Sequence, residues 1–162
     1  MKQAQRKLVW DLIEKYLPED EARRVEDFSF EDMGYGYDHF GAETESALLG
    51  YAMGRLLHKY WFRVQSHGVE NIPLEGPALI VPNHSGVIAI DAAMLATDIF
   101  MKLERPRMVR AVVDNFTSLM PFLNVFFTRS GQLVGHSKNF EDLLRHDNLV
   151  GVAARRCSRP DP

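Results

Sequence analysis

His84 and Asp91 are the pair in this sequence whose types and spacing could do acid–base chemistry. A neutral imidazole can take a proton from a hydroxyl as that oxygen attacks a carbonyl. A carboxylate beside the ring can orient it and stabilise the imidazolium that forms. His84 stands in Asn83-His84-Ser85-Gly86, a polar break after the apolar run Ala78-Leu79-Ile80-Val81, which Pro77 and Pro82 bound. So short an apolar run reads as a buried strand. Asp91 directly precedes Ala92-Ala93-Met94-Leu95 and reads as the N-cap of a helix. Reactive groups in open α/β sheets gather beyond the carboxyl ends of strands, and this pair fits that placement. On spacing alone the two residues also read as a turn histidine and a helix cap.

Other candidates have less support. His136 and His146 lack acidic or cysteine partners at metal spacing. Asp38-His39 lacks a third ligand and reads as a solvated loop, so no metal is expected. Met33-Gly34-Tyr35-Gly36-Tyr37 neither follows a clear strand nor precedes a Lys-Ser/Thr pair, so it reads as a turn rather than a phosphate cradle. Ser85 and Ser130 have no nucleophile-elbow pattern, which disfavours a serine hydrolase.

The elements that must position the pair follow from periodicity. Residues 3–17 read as a basic amphipathic helix through Val9, Leu12, Ile13, Tyr16 and Leu17, and Pro18 stops it. Its apolar face is expected to pack on the domain, with a membrane-surface helix as the alternative. Residues 19–45 are acidic and turn-rich, but five interleaved aromatics argue against disorder. Residues 42–60 form the clearest helix, with Leu49, Met53, Leu56, Leu57 and Tyr60 as its apolar face. Ser46, Gly50 and Gly54 form a smooth strip for close helix packing. Residues 60–66 alternate like a strand, and 67–73 read as turns. Then follow a helix over 91–103, a strand at 108–113, a strand-like segment 124–129 ending in Arg129, a helix over 138–146 capped by Ser137, and a strand at 149–152. This alternation predicts an α/β fold, a partly parallel sheet flanked by helices with a helical N-terminal extension. The expected division is an extension over 1–59, a domain over 60–152 and an atypical basic tail over 153–162.

Composition sets limits. The chain has 162 residues and a formal net charge of −3, which gives no electrostatic case for nucleic acid. One cysteine, Cys157, precludes an internal disulfide framework and fits a reducing compartment. The N-terminus lacks the apolar core of a signal peptide, and no apolar run is long enough to span a bilayer. Membrane contact, if any, is expected to be peripheral, at the cytoplasmic face.

Gly68-Val69-Glu70-Asn71-Ile72-Pro73, the apolar strand, Asn83-His84-Ser85 and Asp91 together resemble the glycerophospholipid acyltransferase family. The resemblance covers roughly residues 60–152. It implies an α/β domain with peripheral membrane contact. The implied reaction is acyl transfer from a thioester, acyl-CoA or acyl carrier protein, to a hydroxyl of a lysophospholipid or glycerol phosphate, with no further cofactor. His84 would be the base and Asp91 its partner, with Asn83 and Ser85 beside the substrate. The family's second motif is an apolar strand ending in a cation. Phe126-Phe127-Thr128-Arg129 matches its end, and Arg129, with Thr128, would meet the acceptor phosphate.

The sequence departs from the family in three places. Leu123 stands where the second motif has a glycine. Six residues, Ser85 to Ile90, separate His84 from Asp91, more than the family's commonest spacer. After the strand at 149–152 the family's Pro-Glu-Gly is expected, and Ala153-Ala154-Arg155-Arg156 stands there. The expectation is a domain cut short at its C-terminus with impaired activity. The alternative is a non-catalytic module that binds a membrane surface or a partner.

Overall fold

The structure, a computed structural model, describes residues 7, 10, 11, 15–84, 89–113 and 122–155. Its centre is a four-stranded parallel sheet of β1 (Ala78–Ile80), β3 (Val109–Val113), β4 (Leu133–Val134) and β5 (Leu149–Val152), in the order β1-β5-β3-β4. Leu149 sits opposite both Ala78 and Val109, and Val112 opposite Leu133. A parallel sheet needs crossovers, and helices supply them. They are α3 (Ile90–Lys102) after β1, α4 (Leu123–Arg129) before β4, and α5 (Ser137–Arg145) between β4 and β5. A second, two-stranded parallel ladder joins β2 (Asn83–His84) to β6 (Ala154–Arg155). The α/β architecture with a flanked parallel sheet is as the alternation predicts.

Alternate residues of a strand face opposite sides of the sheet. Leu149 therefore packs with Ile99, Leu103 and Val109 beneath α3, while Val150 packs with Leu133 and Leu143 beneath α5. A third cluster lies beyond α3. There Phe100 meets Leu48 and Tyr51 of α2 (Thr44–Leu56), Val25 of α1 (Glu19–Glu26) and Leu17, with Trp10 against them. Of the N-terminal amphipathic pattern, Val9, Leu12 and Ile13 lie outside the described residues; Leu17 packs inward, as does Trp10 outside that pattern, whereas Tyr16 is exposed.

Several local expectations are corrected. Residues 60–66 are not a strand. α2 runs on into a π-helical turn, Leu57–Trp61, closed by Phe62 N–H donating to Leu57 O at 2.8 Å. Beyond Leu49, which packs on the core, the predicted apolar face of this helix is inverted: Met53, Leu56, Leu57 and Tyr60 are exposed, whereas Ala47, Leu48, Tyr51, Arg55 and His58 are buried. Carboxylates on two neighbouring helices cause this. Glu21 of α1 accepts from Arg55 Nε at 2.5 Å and Nη2 at 2.8 Å, and also from the Tyr51 hydroxyl. Asp98 of α3 meets His58 Nε2 at 2.8 Å. A buried charge that finds its counter-ion can stay inside. Burial, together with the Glu21 hydrogen bond and charge, raises the Tyr51 hydroxyl well above its ordinary pKa.

The Ser46-Gly50-Gly54 strip does serve close packing. A Cβ at Gly54 would lie 2.4 Å from Thr97 Oγ1 of α3, and one at Gly50 would touch Phe126 of α4 at 3.5 Å. Segment 124–129 is helical rather than strand-like. Ser130 N–H and Gly131 N–H return to the carbonyls of Phe126 and Thr128, and Gly131 takes a φ of +91°, a helix-ending conformation that a glycine adopts at low cost. α5 begins at Ser137, but its cap is His136, whose ring accepts from Lys138 N–H at 3.2 Å.

Candidate active site

Val81 and Pro82 carry the chain from β1 into β2, which ends at His84, beyond the carboxyl end of β1. Asp91 belongs to the first turn of α3. Ala89 is the cap residue and makes no side-chain cap bond, so Asp91 is not the N-cap that its sequence context predicts. Its carboxylate accepts from Ala92 N–H at 2.8 Å and faces His84. His84 Nδ1 lies 2.9 Å from Asp91 Oδ1 and 3.0 Å from Oδ2. The imidazole is 12% exposed and the carboxylate 46%. In the neutral tautomer that donates its Nδ1 proton to Asp91, Nε2 carries the lone pair. The carboxylate also sits where a helix N-terminus favours negative charge. Seven positions apart in sequence, the two side chains meet at the distance that a base and an orienting carboxylate require.

The other predicted residues are placed as follows. Asn83 is exposed on β2 and pairs in register with Ala154, and His84 pairs with Arg155. The backbone that stands where Pro-Glu-Gly was expected thus runs directly beside the histidine. Ser85 lies outside the described residues. Thr128 and Arg129 close α4, where a cation suits the helix C-terminus. The Arg129 guanidinium lies 4.0 Å above the Tyr37 ring and 3.9 Å from Glu43 Oε2. Glu43 N–H donates to Arg129 O at 2.8 Å, and Ser46 Oγ donates to Glu43 Oε2 at 2.7 Å. Sequence reasoning found the cation but missed the acidic, aromatic clamp that holds it. Nothing in the order of residues 37–43 pointed to a contact so far along the chain.

His39 is exposed as a solvated loop predicts, but Asp38 is not. Asp38 is a buried ion-pair partner of Arg110 and caps its own turn through Phe40 N–H and Ala42 N–H. Burial pulls the Arg110 guanidinium below its ordinary pKa, and Asp38 opposes that shift. His39 stacks on His146, ring centroids 4.8 Å apart. The Met33–Tyr37 segment is the turn expected: Asp32 Oδ1 accepts from Gly34, Tyr35 and Gly36 N–H groups. A buried cluster around Asp98 was also missed. Asp98 accepts from Ser66 Oγ and lies 2.9 Å from Lys102 Nζ, in addition to His58. Burial pushes the Asp98 carboxyl up, but the hydrogen bonds from Ser66, Lys102 and His58 together hold it below its ordinary value. The Asp98–Lys102 spacing was a visible signal; His58, on another helix, was not.

Two hollows flank the sheet. An apolar groove of about 380 Å³ is lined by Leu79, Val81, Val112, Gly135, His136, Ser137, Phe140 and Val152. Val81 ties it to the segment that leads to His84. A cavity of about 600 Å³ lies at the opposite, amino ends of the strands, beside Gly76, Met108 and Asn148. There Arg107 donates to the carbonyls of Pro73, Gly76 and Asp147 and ties three loops together, and Arg105 forms an exposed pair with Glu75. Among the described residues, no three His, Cys, Asp or Glu side chains converge as a metal set, and no helix is long and apolar enough to cross a membrane.

Comparison with known proteins shows the family of the chain. A family model described as Acyltransferase matches residues 63–153, which include His84, Asp91 and Arg129. An uncharacterized protein of Mycobacterium tuberculosis (strain ATCC 25618 / H37Rv) is 30% identical over 130 residues, 80% of this chain and 35% of its own. One from Mycobacterium leprae is 28% identical over 130 residues, 80% of this chain and 34% of its own. The human protein named DGAT1/2-independent enzyme synthesizing storage lipids is 31% identical over 93 residues, 57% of this chain and 28% of its own. The chain thus spans about a third of the length of the curated relatives it matches. No solved structure matches it at a significant level.

Proposed function

The chain belongs to the acyltransferase family, and from that premise we propose that it moves a fatty acyl group from a thioester to a glycerol hydroxyl. The donor is acyl-CoA or acyl carrier protein, and the acceptor a lysophospholipid or glycerol phosphate. The observation that carries this reading is the His84–Asp91 pair, with Nδ1 held at 2.9 Å and Nε2 left as the base. His84 Nε2 takes the proton from the acceptor hydroxyl as its oxygen attacks the thioester carbonyl. The C–S bond then breaks, and the leaving thiolate takes that proton from Nε2, so the ring returns to its starting state. Asp91 holds the tautomer and balances the transient imidazolium.

In this reading the apolar groove beyond Val81 takes the acyl chain. Arg129 meets the acceptor phosphate, exchanging its distant Glu43 partner for a bidentate one. Asn83, Ser85 and Thr128 are the further acceptor contacts that the family resemblance implies. The protein works on a membrane surface facing the cytoplasm and needs no cofactor beyond the thioester. Turnover by this chain is low, because Ala154-Arg155 runs beside His84 in place of the family's Pro-Glu-Gly.

The test is single-turnover acyl transfer from acyl-CoA to lysophosphatidic acid, or to glycerol phosphate, at high protein concentration. His84→Ala is expected to remove about 10²- to 10⁴-fold of the rate. Asp91→Asn is expected to lower the rate while leaving acceptor binding intact. Transfer unaffected by His84→Ala refutes the assignment. The substitution of the third motif beside His84 favours a second reading, a non-catalytic lipid-surface module. Vesicle binding that survives His84→Ala with no transfer by any His84 protein marks that reading.

A further inference from the structure

The C-terminal end of α2 is turned inside out. Arg55 and His58, each 2% exposed, face the protein, while Met53, Leu56 and Leu57 face solvent. The π-helical turn that follows presents Tyr60 and Trp61 to solvent at 68% and 77% exposure, and Phe62 beside them is also exposed. Isolated exposed apolar residues need no explanation, but a contiguous face of six does. Two of the six, Tyr60 and Trp61, are the aromatic types that favour a boundary between apolar and wet phases.

Charge narrows the choice of partner. Between Glu45 and Glu70 the sequence has no Asp or Glu, in a chain with 22 acidic residues and a net charge of −3. Lys59 and Arg63 are exposed at the margin of the apolar face. Neither has an acidic partner among the described residues. The carboxylates that meet the buried side of this helix end are already engaged: Glu21 is buried against Arg55, and Asp98 against His58 and Lys102. Arg63 is also held in a left-handed backbone conformation, φ 50°, where the chain leaves the turn. An apolar face with an aromatic edge and unpaired cations at its margin matches an anionic bilayer surface.

We infer that the face formed by Met53, Leu56, Leu57, Tyr60, Trp61 and Phe62 inserts into the interface of an anionic phospholipid bilayer, with Lys59 and Arg63 at headgroup level. This assigns membrane contact to the end of α2 rather than to the N-terminal amphipathic segment. It does not depend on acyl transfer.

The experiment is flotation of the full chain with vesicles of phosphatidylcholine, with or without phosphatidylglycerol. Trp61 emission is read in a Trp10→Phe background. The expected result is partition onto the anionic vesicles, a blue shift of Trp61, and loss of binding at high salt. Leu57→Ser/Trp61→Ser/Phe62→Ser is expected to weaken partition by roughly tenfold or more. Lys59→Glu/Arg63→Glu is expected to weaken it on anionic vesicles by about the same. All five side chains are exposed, so thermal midpoints should stay unchanged and report that the variants fold. Equal partition onto neutral vesicles, or binding that survives both patch variants but is lost on Lys2→Glu/Arg6→Glu/Lys7→Glu, overturns the assignment. So does failure of the native chain to bind vesicles, including the case where a concentration-dependent dimer buries Trp61.

Discussion

Gly54→Ala probes the helix contact that seats Asp91, because α3 carries Asp91 in its first turn and packs on α2. The new Cβ would lie 2.4 Å from Thr97 Oγ1 and 3.6 Å from Thr97 Cβ and Cγ2. Thr97 is buried, and its hydroxyl donates to Ala93 O at 2.8 Å. Rotating the side chain away breaks that bond, and a β-branched residue in a helix has few alternative rotamers. Three effects compete. Alanine in place of a helix-interior glycine stabilises by about 1 kcal/mol. Overpacking costs about 1–3 kcal/mol, and losing the hydroxyl's bond costs about 1 kcal/mol more. The net expectation is destabilisation by about 1–3 kcal/mol. In a Thr97→Ala background the obstructing atoms are gone, so the same Gly54→Ala change should stabilise, by up to about 1 kcal/mol. Urea denaturation of the four proteins, with slopes compared as well as midpoints, reads this double-mutant cycle. Equal destabilisation in both backgrounds would refute the reasoning, since the cost would then lie in α2 alone.

Removing the carboxylate in Glu21→Ala leaves Arg55 buried without its counter-ion, and should cost about 3–5 kcal/mol in denaturant unfolding. A loss below about 1 kcal/mol would mean that Arg55 escapes to water. Asp98 should make stability acid-sensitive. Its carboxyl is held below its ordinary value, so its contribution is complete above the unfolded carboxylate range and is lost as pH falls through the folded pKa. Thermal midpoints measured downward from about pH 5 should therefore fall more steeply for the native chain than for Asp98→Asn. Parallel curves would contradict this.

Periodicity and turn chemistry made the sheet legible before any coordinates. The short apolar runs at 78–81, 108–113 and 149–152 gave β1, β3 and β5, although the first is not the buried strand expected: Leu79 and Val81 are exposed. The His84–Asp91 pair was legible for a related reason: both residues lie where a strand ends and a helix begins. The small-residue strip of α2 was legible because spacing of four on a helix makes one smooth line. Segments 60–66 and 124–129 were misread as strands because short apolar or aromatic runs fit either period. In each, backbone hydrogen bonds to Leu57 or Phe126 decided the outcome.

By itself the sequence determined the alternation of elements, the positions of the histidine and its carboxylate, and the run from Ser46 to Val69 that lacks acidic residues. Only the tertiary structure decided which face of α2 turns inward, because that depended on carboxylates from α1 and α3 reaching Arg55 and His58. It also decided that Arg129 lies under Tyr37 beside Glu43, and that Ala154-Arg155 pairs alongside Asn83-His84. These contacts join residues far apart along the chain, and local patterns of polarity carry no record of which distant charge a side chain will meet.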